Sequence, residues 1–328
     1  MTRTIRLLGL MMAIAFGAAC GGDSSSPNDT QMGADGGADG STVVAAAPTV
    51  ISTTPEDGAI GVASEAVLVF TFSEAMDSIA TEAAYTSDDL PAEKVDFQWN
   101  DGGDVLTVIP IDPLELAEGD ASVAPRSYSA TIGAGARNTT GAPMAAAATT
   151  TFTTLRRITL YATIDSTRTG RATSAGVVST AMMTSGDFGT NATTAAFATF
   201  GLEAVPDSVI VEHAFFSVDE SLYAGAPDDD LGGPLSAHHV VFDGLDYAAT
   251  LLDAVPNTIA LQRSKSAPYS RSIDLADFVN DDLDNRVARE NRCQVRLRYP
   301  LDTDDDDDGD AVGFAVDSLS LRVVYLAP

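Results

Sequence analysis

Hydrophobic and polar residues alternate over short stretches of the chain, and a period of two is typical of β-strands. One such run places Leu68, Phe70 and Phe72 on the same face of a predicted strand. Alternating runs at 97–99 and 105–109 flank the turn-forming sequence Asn-Asp-Gly-Gly-Asp, which predicts a β-hairpin. Because turn residues recur between these short runs, we expect an all-β chain built from antiparallel sandwiches.

The region 155–328 shows the same alternation and predicts a second β-sandwich. Apolar residues alternate in 158–164 near its start and again in 319–325 near its end. Residues 273–279 instead have apolar positions near helical spacing, with Ser272 as a plausible N-cap. This pattern predicts one short helix packed on a sheet.

The N-terminal residues 1–19 have the order of a secretory signal peptide, with two arginines, an apolar run and then small residues. The apolar run is too short to cross a bilayer comfortably as a helix, which takes about 20 residues. The small residues before Cys20 resemble the bacterial lipoprotein box, which implies that Cys20 is acylated and becomes the mature N-terminus. The alternative is an ordinary signal peptide cut near Ala19, with Cys20 incidental.

Residues 20–47 consist mainly of Gly, Ser, Asp and Ala and have few large apolar side chains. Such a segment buries too little surface to become ordered, so we predict a disordered tether with a reach of about 30 Å. The predicted division is a signal peptide at 1–19, a tether at 20–47, and β domains at 48–154 and 155–328. Gly21 after the cysteine fits sorting to the outer membrane, on its periplasmic or cell-surface face, through N-terminal acyl chains.

The composition adds a strong negative charge, because 47 Asp and Glu residues oppose 18 Lys and Arg residues, for a net charge of −29. This charge repels phosphate backbones and argues against nucleic acid as a partner. The chain has two cysteines. With Cys20 acylated, Cys293 has no disulfide partner, and its place in an alternating run predicts the buried face of a strand.

The region 48–154 resembles the bacterial Ig-like domain of the SbsA type. The resemblance rests on Thr-Pro-Glu-Asp-Gly-Ala at 54–59, Gly-Val at 61–62 and Phe-Ser-Glu-Ala-Met-Asp at 72–77. The family's D-x-x-G-N loop is altered here to Arg-Asn-Thr-Thr-Gly at 137–141. The resemblance implies an Ig-like sandwich that serves as a spacer or adhesive module on extracellular proteins and carries no catalytic residues.

The order of elements in 155–328 is similar to that of the jelly-roll domains called DNRLRE, or family 96 carbohydrate-binding modules. Ala-Phe-Ala-Thr-Phe-Gly-Leu at 196–202 precedes Ile-Val-Glu-His-Ala-Phe-Phe-Ser-Val at 210–218, as in that family. The resemblance implies a jelly-roll-like sandwich that binds carbohydrate. Candidate residues for stacking on sugars are tyrosines in loop-like stretches, namely Tyr223, Tyr247 and Tyr269.

A dense run of aspartates between residues 302 and 310 is the most conspicuous charged feature. Its pattern matches the opening of a D-x-D-x-D-G calcium loop, and Ca²⁺ prefers six to eight oxygen ligands. The closing Glu of an EF-hand is missing, because Ala315 takes its place. The alternative is a solvated acidic loop extended by its own charge. The candidate calcium ligands are Asp302, Asp304, Asp306, Asp308 and Asp310.

Catalytic signatures do not stand out. The sequence has no H-E-x-x-H, C-x-x-C or G-x-S-x-G pattern, and the adjacent His238 and His239 point to opposite faces of a strand. We therefore predict a non-enzymatic, lipid-anchored envelope protein for surface display, adhesion or carbohydrate binding, with polysaccharide or an envelope protein as partner. The alternatives are a structural protein–protein interaction module and a divergent hydrolase.

Overall fold

A computed structural model describes residues 46–245 and 258–328, and most of these residues lie in β-strands. The prediction of an all-β fold is confirmed. The predicted signal peptide, Cys20, most of the tether and Tyr247 lie outside the described residues. Across the described part, no helix combines the length and apolar character needed to span a membrane.

The first part of the fold is a sandwich of two four-stranded sheets, with strand orders β1-β3-β6-β5 and β2-β9-β8-β4. Strand β7 lies in the same region of the chain but belongs to neither sheet, because it pairs with β10 of the large sheet described below. The elements are β1 (Val50–Thr54), β2 (Ala59–Val62), β3 (Leu68–Phe72), α1 (Ser78–Ala83), β4 (Tyr85–Thr86), a 3₁₀ turn (Ala92–Lys94), β5 (Val95–Trp99), β6 (Val105–Pro110), β7 (Ala117–Gly119), β8 (Ser127–Ile132) and β9 (Ala148–Thr154).

The core of this sandwich follows from the alternation in the sequence. Leu68, Phe70 and Phe72 are all buried on the inner face of β3, as predicted. On the facing sheet, Tyr128 and Phe152 stack with ring centroids 5.6 Å apart. The predicted hairpin is present as the antiparallel pair β5 and β6.

The second part is built from one large sheet, with strand order β18-β17-β21-β15-β14-β22-β16-β23-β10-β7 and short strands attached to it. Its elements are β10 (Arg156–Tyr161), β11 (Thr163–Ile164), β12 (Gly170–Thr173), β13 (Val178–Ser179), β14 (Met183–Gly186), β15 (Thr194–Gly201), β16 (Ile210–Ala224), α2 (Pro227–Asp230), β17 (Ser236–His239), β18 (Thr258–Ala260), β19 (Gln262–Arg263), β20 (Ser270–Asp274), α3 (Ala276–Asp284), β21 (Arg292–Arg298), β22 (Ala311–Phe314), a 3₁₀ turn (Val316–Ser318) and β23 (Ser320–Ala327).

The long strand β16 pairs along its length with two groups of strands, which form the two halves of this sheet. Residues 210–219 pair with β23 and β20 in one half, whereas residues 220–224 pair with β22 in the other. Side chains from the two halves share one core, in which the rings of Phe200 and Phe216 lie edge to face at 6.1 Å. Cys293 is fully buried on β21 in the same core, which confirms its predicted position.

The predicted short helix of this region is α3, but its N-terminal boundary differs from the prediction. Ser272 is not an N-cap, because it lies in β20 and pairs with Ser217 of β16. The helix begins only at Ala276, where the backbone N–H donates to the Asp274 carboxylate at 3.1 Å. Strand pairing therefore outcompetes helix initiation at Ser272. A second helix, the four-residue α2, also lies in this region.

The two parts are joined by backbone pairing as well as by the chain itself. Strand β7 pairs in parallel with β10, so the large sheet extends into the first part of the fold. The Arg157 guanidinium binds Glu118 of β7 at 2.6 Å and Glu212 of β16 at 2.6 Å. This arrangement ties the first sandwich to the sheet that follows it.

The altered loop at 137–141 is organised by Asn138, which is buried. Its side-chain oxygen accepts hydrogen bonds from the Thr140 N–H, the Thr140 hydroxyl and the Ala142 N–H, and its amide donates to Glu74 at 2.9 Å. The loop is therefore bonded to the Phe-Ser-Glu-Ala-Met-Asp motif although its sequence departs from the family pattern.

We expect Asn138→Ala to lower the free energy of unfolding by about 2–4 kcal/mol, because it removes the four hydrogen bonds made by this buried side chain. Urea denaturation of the full chain measures this loss. The control is Thr139→Ala at the exposed neighbouring position, which should change stability little. Equal effects of the two substitutions would contradict the structural role of Asn138.

Candidate functional site

Two of the three candidate tyrosines come together at Arg263. The guanidinium carbon of Arg263, at the end of β19, lies 4.3 Å from the ring centre of Tyr223 and 4.1 Å from that of Tyr269. Tyr223 was expected in a loop, but it lies in β16, because the strand continues to pair with β22 up to Ala224. Tyr269 immediately precedes β20.

Both rings keep part of their surface in contact with solvent, with Tyr223 38% and Tyr269 39% exposed. A guanidinium against an aromatic face is held by cation–π attraction, which fixes the ring and also covers part of it. We call the surface formed by Tyr223, Arg263 and Tyr269 the tyrosine–arginine surface. It offers apolar ring area next to a positive group.

A buried ion network lies against this surface. The Glu220 carboxylate accepts from Arg263 at 2.7 Å and from Arg271 at 2.6 Å. Arg271 is only 1% exposed and also binds the Asp228 carboxylate of α2 at 2.7 Å. Two arginines and two carboxylates thus balance in charge, which is what a buried ionic group requires.

Asp228 connects the network to the tyrosines. It accepts hydrogen bonds from the hydroxyl of Tyr223 at 3.1 Å and from that of Tyr299 at 3.2 Å. Burial by itself raises the pKa of Asp228, but the hydrogen bonds and charge of Arg271 outweigh it and leave the pKa lowered. Burial first, and then the charge of Asp228, raises the pKa of the Tyr223 hydroxyl. The site therefore holds ionised acceptors and neutral hydroxyl donors in fixed positions, an arrangement suited to binding.

Sequence reasoning missed the residues that build this network. The ion pairs of Arg271 span 51 residues to Glu220 and 43 residues to Asp228. Alternation identifies the strands but does not distinguish a buried, paired arginine from a solvent-facing one. The signal in the sequence was Arg271 itself, a charged residue just before the stretch predicted to form a helix.

The five predicted calcium ligands are not brought together as a set. Asp302 pairs with Arg298 of β21. Asp306 accepts a hydrogen bond from the backbone of Asp308 at 2.7 Å, and both side chains are exposed. Asp304 and Asp310 do converge, and they do so with Asp230 of α2, since one carboxylate oxygen from each of the three lies within 4.8 Å of the others.

A second group that could hold a metal contains His239, Asp281 and Asp282. The buried His239 binds Asp282 at 2.8 Å and stacks on Phe278. Arg289 binds both carboxylates, Asp281 at 2.8 Å and Asp282 at 3.1 Å, so positive charge is already supplied. This group is explained as a structural ion network of α3 and β17.

The neighbouring histidine, His238, contacts a different element, as expected for adjacent residues of a strand. Its ring nitrogen lies 3.4 Å from the Arg296 guanidinium on β21. Burial, and then the charges of Arg296 and Arg298, lower the pKa of His238 to about 4. His238 is therefore neutral at pH 7 and does not share a site with His239.

Comparison with known families identifies the first sandwich. Residues 44–154 match the family model of the bacterial Ig-like domain, and the predicted resemblance at 48–154 is confirmed. This module is non-catalytic and occurs in bacterial envelope proteins. The resemblance of 155–328 to family 96 carbohydrate-binding modules stays a prediction. No curated protein gives a significant match to the chain.

Three solved structures show distant similarity. An L,D-transpeptidase from Mycobacterium smegmatis is 17% identical, with 66% of this chain and 73% of that chain covered and a TM-score of 0.24. The S-layer protein rSbsC(31-844) is 14% identical over 55% of this chain and 29% of its own, at a TM-score of 0.23. SGBP-B from a complex xyloglucan utilization locus in Bacteroides uniformis is 9% identical. The match covers 84% of this chain and 73% of that chain, with a TM-score of 0.19. At TM-scores this low, these similarities carry no functional argument.

We expect Arg271→Gln to lower the free energy of unfolding by about 3–5 kcal/mol, because it leaves the buried carboxylate of Glu220 and the half-buried carboxylate of Asp228 short of positive charge. Urea denaturation measures the change. The matched control is Arg126→Gln, which removes an exposed pair with Glu115 and should cost less than about 1 kcal/mol. A loss no larger than that of the control would show that Arg271 is not essential to the network.

Proposed function

We propose that this chain is a non-enzymatic, lipid-anchored protein of the bacterial envelope, outer-membrane bound, that binds polysaccharide at the tyrosine–arginine surface. The observation that carries the proposal is the convergence of Tyr223 and Tyr269 on Arg263 in the sandwich that follows a bacterial Ig-like domain. The Ig-like domain supports the envelope setting, and the second sandwich supplies the contact surface.

The mechanical part of the proposal rests on the joint between the two sandwiches. Strand β7 pairs with β10, and Arg157 forms ion pairs with Glu118 and Glu212. The second sandwich is therefore attached to the Ig-like domain by strand pairing and ion pairs as well as by the connecting chain. A domain fixed in this way is presented at a defined distance from its support. Acyl chains on Cys20 would hold that support at the membrane.

The binding part rests on preorganisation. Aromatic rings bind sugars through the apolar C–H faces of the pyranose, and adjacent polar groups bond to the hydroxyls. Here Arg263 orders both rings, while Asp228 fixes the hydroxyl of Tyr223, so little side-chain freedom remains to be lost on binding. The net charge of −29 disfavours acidic glycans, so we expect a neutral polysaccharide.

Substitution Cys20→Ser tests the anchor. Removing the thiol removes the site of acylation, so we expect the protein to move from the membrane fraction to the soluble fraction of the producing cell. Fractionation with immunoblotting measures this, and mass spectrometry of the native protein should find fatty acid on Cys20. The control is Cys293→Ser, which leaves Cys20 in place. Membrane retention of the Cys20→Ser chain would contradict lipid anchoring.

Substitution Tyr269→Ala tests the contact surface. Affinity electrophoresis in gels containing a neutral β-glucan or galactomannan should retard the parent chain, and the substitution should abolish most of the retardation because it removes one ring face. Thermal unfolding checks that the fold is kept.

The matched control is Tyr161→Ala, at a tyrosine of β10 that is 68% exposed and lies outside the surface. It should leave retardation unchanged. Absence of retardation of the parent chain by every neutral polysaccharide would overturn the binding proposal and favour a protein partner instead.

A further inference from the structure

Three neighbouring strands of the large sheet end at the same place, and this brings distant acidic residues together. Strand β22 lies between β14 and β16, with Ala311 opposite Gly186 on one side and Ala224 on the other. The next residues along the three strands are therefore adjacent. They include Asp310 before β22 and Asp187 after β14.

The register is fixed by two glycines that allow a close approach to Asp310. Gly186 (φ +127°) would place a Cβ 2.0 Å from the Asp310 carbonyl oxygen, and Gly225 (φ +64°) would place one 1.9 Å from Asp310 Oδ1. The backbone N–H of Ala226 donates to Asp310 Oδ1 at 2.6 Å. Gly186 thus allows the close approach of the Asp310 backbone, and Gly225 leaves the cradle in which the Asp310 carboxylate is seated, which a larger residue at 225 would fill.

A fully buried carboxylate next to this cradle lacks compensation. Asp187 is 0% exposed, and its Oδ1 accepts from the Asp310 N–H at 2.9 Å. Its other oxygen, Oδ2, is buried and has no hydrogen-bond partner among the described residues. An ionised carboxylate in that position is strongly unfavourable unless a cation or donor reaches it.

The surrounding charge is negative. The pKa of Asp304 is raised, by desolvation first and then by repulsion from Asp306 and Asp187. The pKa of Asp230 is also raised, by desolvation first and then by repulsion from Asp310 and Asp229. Among the described residues, no Arg or Lys forms an ion pair with Asp187, Asp230, Asp304 or Asp310. The acidic group beside His239 differs, because Arg289 pairs with its two carboxylates.

We infer that Asp230, Asp304 and Asp310 bind one Ca²⁺ ion, and that its charge also compensates the buried carboxylate of Asp187. Ca²⁺ binds oxygen ligands at 2.3–2.6 Å, so two ligands of one ion lie at most about 5 Å apart. The 4.8 Å spread of the three carboxylate oxygens meets this limit. An all-carboxylate set without His or Cys favours a hard cation over zinc.

This site differs from the loop predicted from sequence. Only Asp304 and Asp310 of the five predicted aspartates belong to it, whereas Asp230 comes from α2 and Asp187 from the end of β14. The ion would join three separate segments of the chain. Calcium binding is measured without any glycan, so a failure to bind calcium would leave the proposal of polysaccharide binding untouched.

The test is calcium binding by the purified full chain after treatment with EGTA and buffer exchange. Titration with CaCl₂ should show one bound ion by calorimetry and a rise in Tm, with a smaller rise for MgCl₂. Asp304→Asn, at an exposed position, should weaken calcium affinity at least about ten-fold. The matched control is Asp308→Asn, the same charge change in the same loop, which should leave affinity unchanged.

Asp187→Asn distinguishes the proposed site from a solvated acidic loop. Without calcium it should raise Tm, because it removes a buried carboxylate oxygen that has no hydrogen-bond partner, and it should reduce the further rise caused by calcium. The inference is overturned if the parent chain binds no calcium at millimolar concentration. It is also overturned if Asp308→Asn weakens binding as much as Asp304→Asn, whatever the stability of the Asp187→Asn chain.

Discussion

Burial of carboxylates is the constraint on which the second sandwich depends. The chain has 47 acidic residues and 18 basic ones, so positive charge is scarce and each buried acid competes for it. Glu220 and Asp228 share Arg271, and Asp282 has Arg289 and His239. These pairings fix which strands and helices meet, because an unpaired charge at those places would cost several kcal/mol. Among the described residues, Asp187 is fully buried and has no ion pair with a basic side chain.

What could be predicted from the sequence is what depends on local periodicity or on a specific motif. The inward positions Leu68, Phe70 and Phe72, and the buried Cys293, follow from alternation because each strand has one face toward a core. The bacterial Ig-like domain was recognisable from its motifs even though one loop had changed. Asn138 explains why that change is tolerated, since its side chain supplies the bonds that hold the loop.

What could not be predicted depends on pairing between residues far apart in the chain. Ser272 has the right neighbours for an N-cap, yet its pairing with Ser217 places it in a strand. Tyr223 looks like a loop residue because apolar alternation fades after Val218, but β22 continues to bond to the strand there. For the acidic loop, the sequence indicated Asp304 and Asp310, but it did not place them beside Asp230, which lies in a separate aspartate run at 228–230, or beside Asp187. Their position follows only from the order β14-β22-β16.

Helix α2 links the two candidate sites. Asp228 on this helix binds Arg271 and the hydroxyl of Tyr223, and Asp230 lies with Asp310 and Asp304. An isolated helix of four residues has no stability of its own, so its order comes from contacts with the rest of the fold, such as the burial of Pro227 and the ion pair of Asp228 with Arg271. Any interaction that holds Asp230 therefore also helps to hold Asp228, and with it the ring of Tyr223. The acidic cluster and the tyrosine–arginine surface thus share a single short element.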